Sequence, residues 1–278
     1  MKRLNKPGFF AVLREQIKQN KRVFVVWAGL RLIVIAALVL SAIRQDYESV
    51  FICVLTLGLF LIPSFIQRNF SIQFPTTLQI VILMHIFAAQ ILGELSSYYI
   101  HVKHWDTILH TVWGFLCAAI GYSLVDILNE DNNFHVKLSP LYLAIASFCF
   151  SMTIGVFWEF FEFAADRLLL IDMQKDTIVH TISTVMLDET HSNIPIVIDG
   201  INSTSLNGQE LGLGGYLDIG LYDTMEDLIV NFIGALVFSV IGYFNSKKDS
   251  LSRFAFHFIP RLKDEQGESL LSSDFEHL

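Results

Sequence analysis

Six apolar segments of membrane-spanning length constrain the fold of this chain more than any other feature. A hydrocarbon core about 30 Å thick requires roughly 20 apolar residues in a helix, and a helix satisfies its own backbone hydrogen bonds in lipid. Hydrophobic residues make up 53% of the 278 residues and charged residues only 17%, which excludes an ordinary soluble domain. We therefore predict an all-α polytopic membrane protein with six transmembrane helices. Their approximate bounds are Val23–Ile43, Val50–Ile66, Thr77–Ser97, Thr107–Leu128, Ser139–Ala165 and Leu228–Tyr243. The last segment is short unless it begins at Thr224, which would bring Asp227 into the helix.

Lys and Arg residues concentrate at the two ends of the chain. Seven lie before the first apolar segment and five follow the last. Cytoplasmic segments of membrane proteins are rich in these residues, and six crossings return a chain to its starting side. We therefore expect both termini to be cytoplasmic, with a basic N-terminal segment at 1–22, a membrane domain at 23–245 and a tail at 246–278. The predicted location is the bacterial plasma (inner) membrane.

One long insertion, at 167–221, separates the fifth and sixth predicted helices, and the expected topology places it outside the cytoplasm. Its stretch Ile194–Asp199 is rich in β-branched residues and is followed by Gly200, a pattern typical of a strand and a turn. Further tight turns are indicated at Gly208, Gly212, Gly214 and Gly215. We expect a β-rich or irregular extracytoplasmic insertion.

Acidic and His side chains recur near the outer ends of four predicted helices. An ionised side chain inside a bilayer costs roughly 2.5–3.5 kcal/mol on insertion scales, so such residues indicate a functional site. The third and fifth helices run outward and the fourth and sixth inward, which brings these side chains to one level. They are Glu94, Asp106, His110, Glu159, Glu162, Asp166, Asp223, Asp227 and Asn231.

So many carboxylates cannot all stay ionised in a partly dehydrated site unless a cation intervenes or protons are shared. One divalent cation held by His and carboxylates would relieve the repulsion, and mixed nitrogen and oxygen ligands suit Zn²⁺, Mn²⁺ or Fe²⁺. The predicted metal ligands are His110, Glu159 and Asp227. The catalytic candidates are Glu162 and Asp223. The remaining polar cluster comprises Glu94, Asp106, Asp166 and Asn231.

Several of these residues also have an ordinary structural interpretation. Asp106 and Asp223 could cap helices, and His110 could be a hydrogen-bonded core histidine. Asp227 and Asn231 could tie helices together by hydrogen bonds, and Gly114 and Gly234 on the same helices would allow close helix approach. Glu159 is harder to explain in this way, because it lies inside an apolar segment.

Three motifs together resemble a known family. They are Trp-Asp-x-x-Leu-His-x-x-x-Gly from Trp105 to Gly114, Gly-x-x-Trp-Glu-x-x-Glu from Gly155 to Glu162, and Asp-Thr-x-x-Asp-x-x-x-Asn-x-x-Gly-Ala from Asp223 to Ala235. The combination resembles the YjdF-like family of bacterial membrane-spanning proteins of unknown function. It is more distantly similar to the VanZ-like group, whose members are associated with reduced sensitivity to glycopeptide antibiotics.

Three classes of function remain open. The first is a metal-dependent enzyme that acts on a lipid or a lipid-linked envelope substrate. The second is a non-catalytic envelope protein that binds or shields lipid-linked precursors and uses the polar cluster to hold its helices together. The third is an ion- or proton-coupled carrier, although carriers usually bind near the midplane of the membrane rather than on one side. Membrane lipids are the expected partners, and the absence of a basic patch with interleaved aromatics excludes nucleic acid.

Overall fold

This computed structural model describes residues 21–69, 72–130, 138–247, 258–259 and 261–262. The chain divides into two compact units. The first unit comprises Met1–Gly155 and Val230–Leu278, and the second comprises Val156–Ile229. Most of the predicted basic N-terminal segment and most of the predicted tail lie outside the described residues.

Six helices within the described residues are long and apolar enough to cross a membrane, which confirms the predicted number. They span Lys21–Arg44, Tyr47–Gln67, Thr76–Leu95, Trp105–Asp126, Pro140–Leu169 and Leu221–Ser246. The sixth helix begins at Leu221. Its start was predicted at Leu228, or alternatively at Thr224, because the acidic residues of the first two turns lower the local hydropathy. The fifth continues through Leu169, so the segment that joins these two helices is 170–220.

The first unit contains most of the helical elements. They are α1 (Lys21–Arg44), α2 (Tyr47–Leu59), α3 (Ile62–Asn69), α4 (Thr76–Phe87), α5 (Tyr98–His101), α6 (Trp105–Glu130), the part of α7 (Pro140–Leu169) up to Gly155 and the part of α8 (Leu221–Lys247) from Val230. A two-stranded antiparallel pair joins β1 (Ile72–Gln73) to β8 (Arg261–Leu262). The second half of the third span, Ala88–Leu95, is a π-helix. Nothing in the apolar pattern predicted this change of helix type.

Two groups of buried residues form the core of the first unit. One is contributed by α1, α2, α4 and the π-helix and includes Val34, Cys53 and Leu78. The other is contributed by α6, α7 and α8 and is built around small residues such as Ala118 and Ala235. The large apolar side chains on the opposite faces of these helices are exposed, as expected for faces that contact lipid.

Glycines allow α6 and α8 to approach closely. A Cβ atom on Gly234 would lie 2.0 Å from the carbonyl oxygen of Thr111, and one on Gly114 would lie 2.2 Å from the carbonyl oxygen of Asn231. Both neighbours are backbone atoms, which cannot rotate out of the way. The prediction that these two glycines permit helix contact is therefore confirmed.

The second unit contains the end of α7, the start of α8 and six short strands. The strands are β2 (Thr177–Val179), β3 (Ile182–Thr184), β4 (Ile196–Ile198), β5 (Ser205–Leu206), β6 (Gln209–Glu210) and β7 (Tyr216–Asp218). They form three antiparallel pairs, β2 with β7, β3 with β4, and β5 with β6. Strand β4 lies inside the predicted strand Ile194–Asp199. The β5–β6 hairpin turns on Asn207 and Gly208, which both have positive φ angles (53° and 80°), as a type I′ turn requires.

Candidate functional site

Three buried carboxylates of the second unit lie together. Glu159 and Glu162 belong to α7 and Asp227 to α8, and their exposed fractions are only 5%, 7% and 3%. One carboxylate oxygen of each residue lies within 4.8 Å of the corresponding oxygens of the other two. We call these residues the acidic triad.

The sequence of α7 explains why its acids face inward. Glu159, Glu162 and Ala165 are buried, whereas Phe160 and Phe163 are more than half exposed. Buried and exposed residues thus alternate with the three- to four-residue spacing of a helix, so one face is acidic and the other aromatic. The Trp158 indole N–H donates a hydrogen bond of 2.9 Å to Oε1 of Glu162 and fixes the direction of that carboxylate.

The triad concentrates negative charge in a small volume. Two ionised carboxylates at a separation of 4.8 Å repel each other by on the order of 3 kcal/mol at an effective dielectric constant of about 20. Three such pairs make the fully ionised state very unfavourable. A bound cation, or protons held on the carboxyl groups, must balance this charge.

Asp166 and Asp223 have a different task in the second unit, because each holds the backbone of one loop. Oδ1 of Asp166 accepts from the N–H of Met173 at 2.6 Å, and Oδ2 accepts from the N–H of Gln174 at 2.9 Å. Oδ2 of Asp223 accepts from the N–H of Lys175 at 2.8 Å. These contacts favour a loop-anchoring role for both residues. The catalytic role predicted for Asp223 stays a prediction.

Two polar residues near these anchors were missed by the sequence analysis. Oδ2 of Asp218 accepts from the N–H of Tyr222 at 2.9 Å, which satisfies a backbone donor in the first turn of α8. The buried Gln174 donates its side-chain amide to Oγ1 of Thr224. An acid just before a helix start is a recognisable signal for the first contact. No comparable sequence pattern predicts the hydrogen bond from Gln174 to Thr224.

Asp188 organises the loop between β3 and β4, also without having been predicted. Its carboxylate accepts four hydrogen bonds of 2.6–3.0 Å, from the hydroxyl and N–H of Thr190 and from the N–H groups of Ser192 and Ile194. The Thr190 hydroxyl and these backbone donors lower the pKa of Asp188 to about 2. A carboxylate so fully used by its own loop is a structural element.

The other predicted site residues belong to the first unit. Nε2 of His110 lies 3.5 Å from Oδ1 of Asp106, one turn away on α6, and both side chains are half-buried. The helix starts at Trp105, so Asp106 is its second residue and not its cap. Glu94 is half-buried in the π-helix.

Asn231 is almost completely buried in the first unit. Its Nδ2 donates to the sulfur of Met152 at 3.5 Å, and a Cβ on Gly155 would lie 2.6 Å from that same nitrogen. The side chain therefore occupies space that only glycine leaves open, which supports its interpretation as a tie between α7 and α8.

The structure thus brings together two of the three predicted metal ligands, Glu159 and Asp227, and adds Glu162 to them. Glu162 was predicted as a catalytic residue, and its position makes it an equal member of the triad. The third predicted ligand, His110, is paired with Asp106 in the first unit.

Comparisons with known proteins place the chain in a family. No solved structure matches it. An uncharacterized protein of Thermotoga maritima is 24% identical over 159 residues, which cover 57% of this chain and 77% of that protein. The similarity to the VanZ-like group stays a prediction. The model of a family described as "Predicted membrane protein (DUF2238)" matches residues 26–248. Because this match covers most of the chain, the protein belongs to the DUF2238 family of predicted membrane proteins.

Proposed function

We propose that this protein is a multi-pass protein of the bacterial plasma membrane whose acidic triad binds one divalent cation. The protein would then be an enzyme that uses this cation to act on a lipid or lipid-linked substrate of the cell envelope. One observation carries the proposal: three buried carboxylates from two membrane-spanning helices offer oxygens within 4.8 Å of one another. Both termini would be cytoplasmic, as the Lys and Arg residues at the two ends of the chain indicate.

The donor set favours a particular kind of cation. All three ligands are carboxylate oxygens, which suit Mg²⁺, Ca²⁺ and Mn²⁺ better than ions that prefer sulfur or imidazole. Mn²⁺ also suits the mixed set predicted from the sequence with His110, so it is the first ion to test. A cation of this kind supplies charge that polarises a carbonyl or phosphoryl oxygen.

The depth of the triad supports a substrate that is itself in the membrane. Asp227 is the seventh residue of α8, which places it about 9 Å along the helix from its start at Leu221. Glu159 lies about 15 Å before the end of α7 at Leu169. Groups at this depth meet the head of a lipid more readily than a water-soluble metabolite.

Measurement of metal content tests whether the acidic triad binds a cation. Protein purified in detergent and incubated with Mn²⁺ should carry about one ion per chain by mass spectrometry. Glu159→Gln, Glu162→Gln and Asp227→Asn should each lose it, because an amide cannot neutralise the cation. Glu226→Gln is the matched control, since this residue is exposed beside Asp227. Absence of metal after loading, or full retention in all three triad variants, would refute the cation site.

A second function is favoured by one specific observation. Asp166 and Asp223 accept hydrogen bonds from the backbone of the loop Met173–Lys175, which is a structural task for acids one helical turn from Glu162 and Asp227. A non-catalytic envelope protein would extend that role to the triad, and Glu159→Gln would then be tolerated. If the protein is instead an enzyme, it requires the negative charge of Glu159. Vesicles that contain the protein and fractionated envelope lipids, analysed for converted lipid by mass spectrometry, separate the two: the enzyme loses all conversion in Glu159→Gln and keeps it in Glu226→Gln.

A further inference from the structure

An arginine in the second unit lies within an exposed apolar surface of α7. Arg167 is exposed, and Phe160 and Phe163 before it have exposed fractions of 62% and 55%. The three residues that follow it are also apolar and more than half exposed; they are Leu168, Leu169 and Leu170. Exposed apolar surface of this extent on a membrane-spanning helix indicates contact with lipid. The charge of Arg167 therefore lies in a surface that faces the membrane.

Arg167 shares one face of α7 with the two aromatic rings. The positions of Phe160, Phe163 and Arg167 are i, i+3 and i+7, the spacing of residues on one side of a helix. The guanidinium carbon lies 5.8 Å from the centre of the Phe163 ring, so the side chain extends back along the helix, away from its end. An arginine that only reached for water would extend the other way. We call these three residues the arginine stripe.

No carboxylate of the described residues pairs with Arg167, although the second unit is rich in acids. Residues 156–229 contain thirteen Asp and Glu residues but only two basic ones, Arg167 and Lys175. Lys175 donates to the backbone oxygen of Asp172. The Arg167 side chain makes no salt bridge or hydrogen bond to any residue within the described parts of the chain. Its N–H donors are therefore free to bind an anion.

The length of α7 locates the guanidinium relative to the bilayer. The helix has 30 residues and is about 45 Å long, the thickness of a bilayer with its headgroups. Phe163, which the guanidinium covers, lies about 9 Å before the helix end at Leu169. The hydrocarbon begins about 5–7 Å below the surface of such a bilayer. The guanidinium thus lies close to the boundary at which lipid headgroups join their chains.

The anion expected at this boundary is a lipid phosphate. Guanidinium groups bind phosphate oxygens through two parallel N–H···O hydrogen bonds. A lipid joins its phosphate to an apolar chain, and the stripe likewise joins its cation to exposed aromatic rings that lie deeper in the membrane. A soluble anion would leave these rings without a partner.

We propose that the arginine stripe binds a phosphate-bearing membrane lipid, with the phosphate on Arg167 and the chain along Phe163 and Phe160. For the enzyme proposed above, this names a phosphate-bearing lipid as the substrate class, and that step rests on the proposed function. Binding of the lipid itself requires only the stripe. The stripe shares no residue with the acidic triad.

Competition between two lipids that differ only in the phosphate tests the role of Arg167. Protein in mild detergent is mixed with equal amounts of dioleoyl phosphatidic acid and dioleoylglycerol, purified again, and analysed for bound lipid by mass spectrometry. Because the hydrogen bonds join charged groups, the natural chain should retain at least about tenfold more phosphatidic acid. Arg167→Gln should retain the two equally. Arg44→Gln, which removes an exposed arginine at the end of α1, should keep the preference.

Two results would overturn the proposal in this experiment. One is equal retention of the two lipids by the natural chain, and the other is an unchanged preference in Arg167→Gln. Glycerol 3-phosphate then separates a lipid site from a site for soluble phosphates, because it carries the phosphate without the chains. An equimolar amount should not displace phosphatidic acid, and displacement would also overturn the proposal.

The same samples distinguish this inference from the proposed cation site. The lipid competition is run with a metal chelator, so its result does not depend on whether the triad binds a cation. A preference that requires Arg167, together with no Mn²⁺ on the loaded protein, would refute the cation and support the stripe. Bound Mn²⁺ that requires the triad, together with equal retention of the two lipids, would refute the stripe alone.

Discussion

Replacing Gly234 by Ala tests whether α6 and α8 are held in direct backbone contact. The added Cβ would lie 2.0 Å from the carbonyl oxygen of Thr111 and 3.0 Å from the amide nitrogen of Phe115. Cβ atoms essentially never approach a neighbour closer than 3.0 Å. The two helices must therefore move apart by at least about 1 Å, the difference between 3.0 and 2.0 Å, because neither backbone atom can rotate away.

The size of the effect follows from three contributions. Overpacking in a close-packed interior costs about 1–3 kcal/mol. A separation of 0.5–1 Å also forfeits a quarter to a half of the dispersion attraction between the atoms that move apart. Alanine favours the helix over glycine by about 0.8–1 kcal/mol, which offsets part of this cost. We expect Gly234→Ala to lower the free energy of unfolding by about 2 kcal/mol.

Equilibrium unfolding in detergent, followed by tryptophan fluorescence, measures this difference. Gly29→Ala is the matched control, because a Cβ at that position of α1 meets no atom within 4 Å. The control gains the helix preference alone and should be slightly more stable than the natural chain. If Gly234→Ala proved as stable as Gly29→Ala, the close contact between α6 and α8 would be wrong.

Two further predictions concern the second unit. Asp223→Ala should speed hydrogen exchange at the Lys175 amide by at least about tenfold, because a hydrogen bond to a charged group is worth about 1.5–3 kcal/mol. The pKa of Asp188 lies at about 2, below its ordinary value of 3.8, so its contribution to loop stability is complete above pH 3.8 and is lost as the pH falls through 2. Protection of the Ser192 amide from hydrogen exchange should therefore be constant from pH 7 to pH 4 after correction for intrinsic rates. It should be absent in Asp188→Ala and retained in Glu189→Ala. A loss of protection between pH 7 and 5 in the natural chain would contradict the assignment.

Much of the helical architecture could be predicted, because contact with lipid demands long apolar segments. The start of the sixth helix was predicted too late, because its first two turns carry Asp223, Glu226 and Asp227, of which only Asp227 is buried. The π-helix at Ala88–Leu95 was not predicted, because π-helices are rare and occur mostly as short parts of longer helices with the same apolar composition.

Part of the candidate site could be predicted from helix geometry. The spacing of Glu159 and Glu162 places both on one helix face, and the depth of Asp227 could be counted from the alternative helix start at Thr224. The partners of Asp166 and Asp223 could not be predicted, because they are backbone N–H groups of a loop that no side-chain pattern encodes. These acids therefore formed one predicted site, whereas in the structure Glu159, Glu162 and Asp227 form the triad and Asp166 and Asp223 accept hydrogen bonds from a loop.

Stability measurements can decide what balances the charge of the triad. A cation that binds only the folded protein stabilises it by RT ln(1 + [M]/Kd), about 2.7 kcal/mol at a hundredfold excess over Kd. If Mn²⁺ is the balancing charge, adding it to chelator-treated protein should raise the unfolding free energy by an amount that grows with the logarithm of its concentration. Glu162→Gln should abolish this dependence, and Glu226→Gln should leave it intact. Protons on the carboxyl groups would instead make stability independent of Mn²⁺ and higher at lower pH, because the folded triad would then bind more protons than the unfolded chain. The two sources of charge balance thus predict different responses of the same protein to metal and to acid.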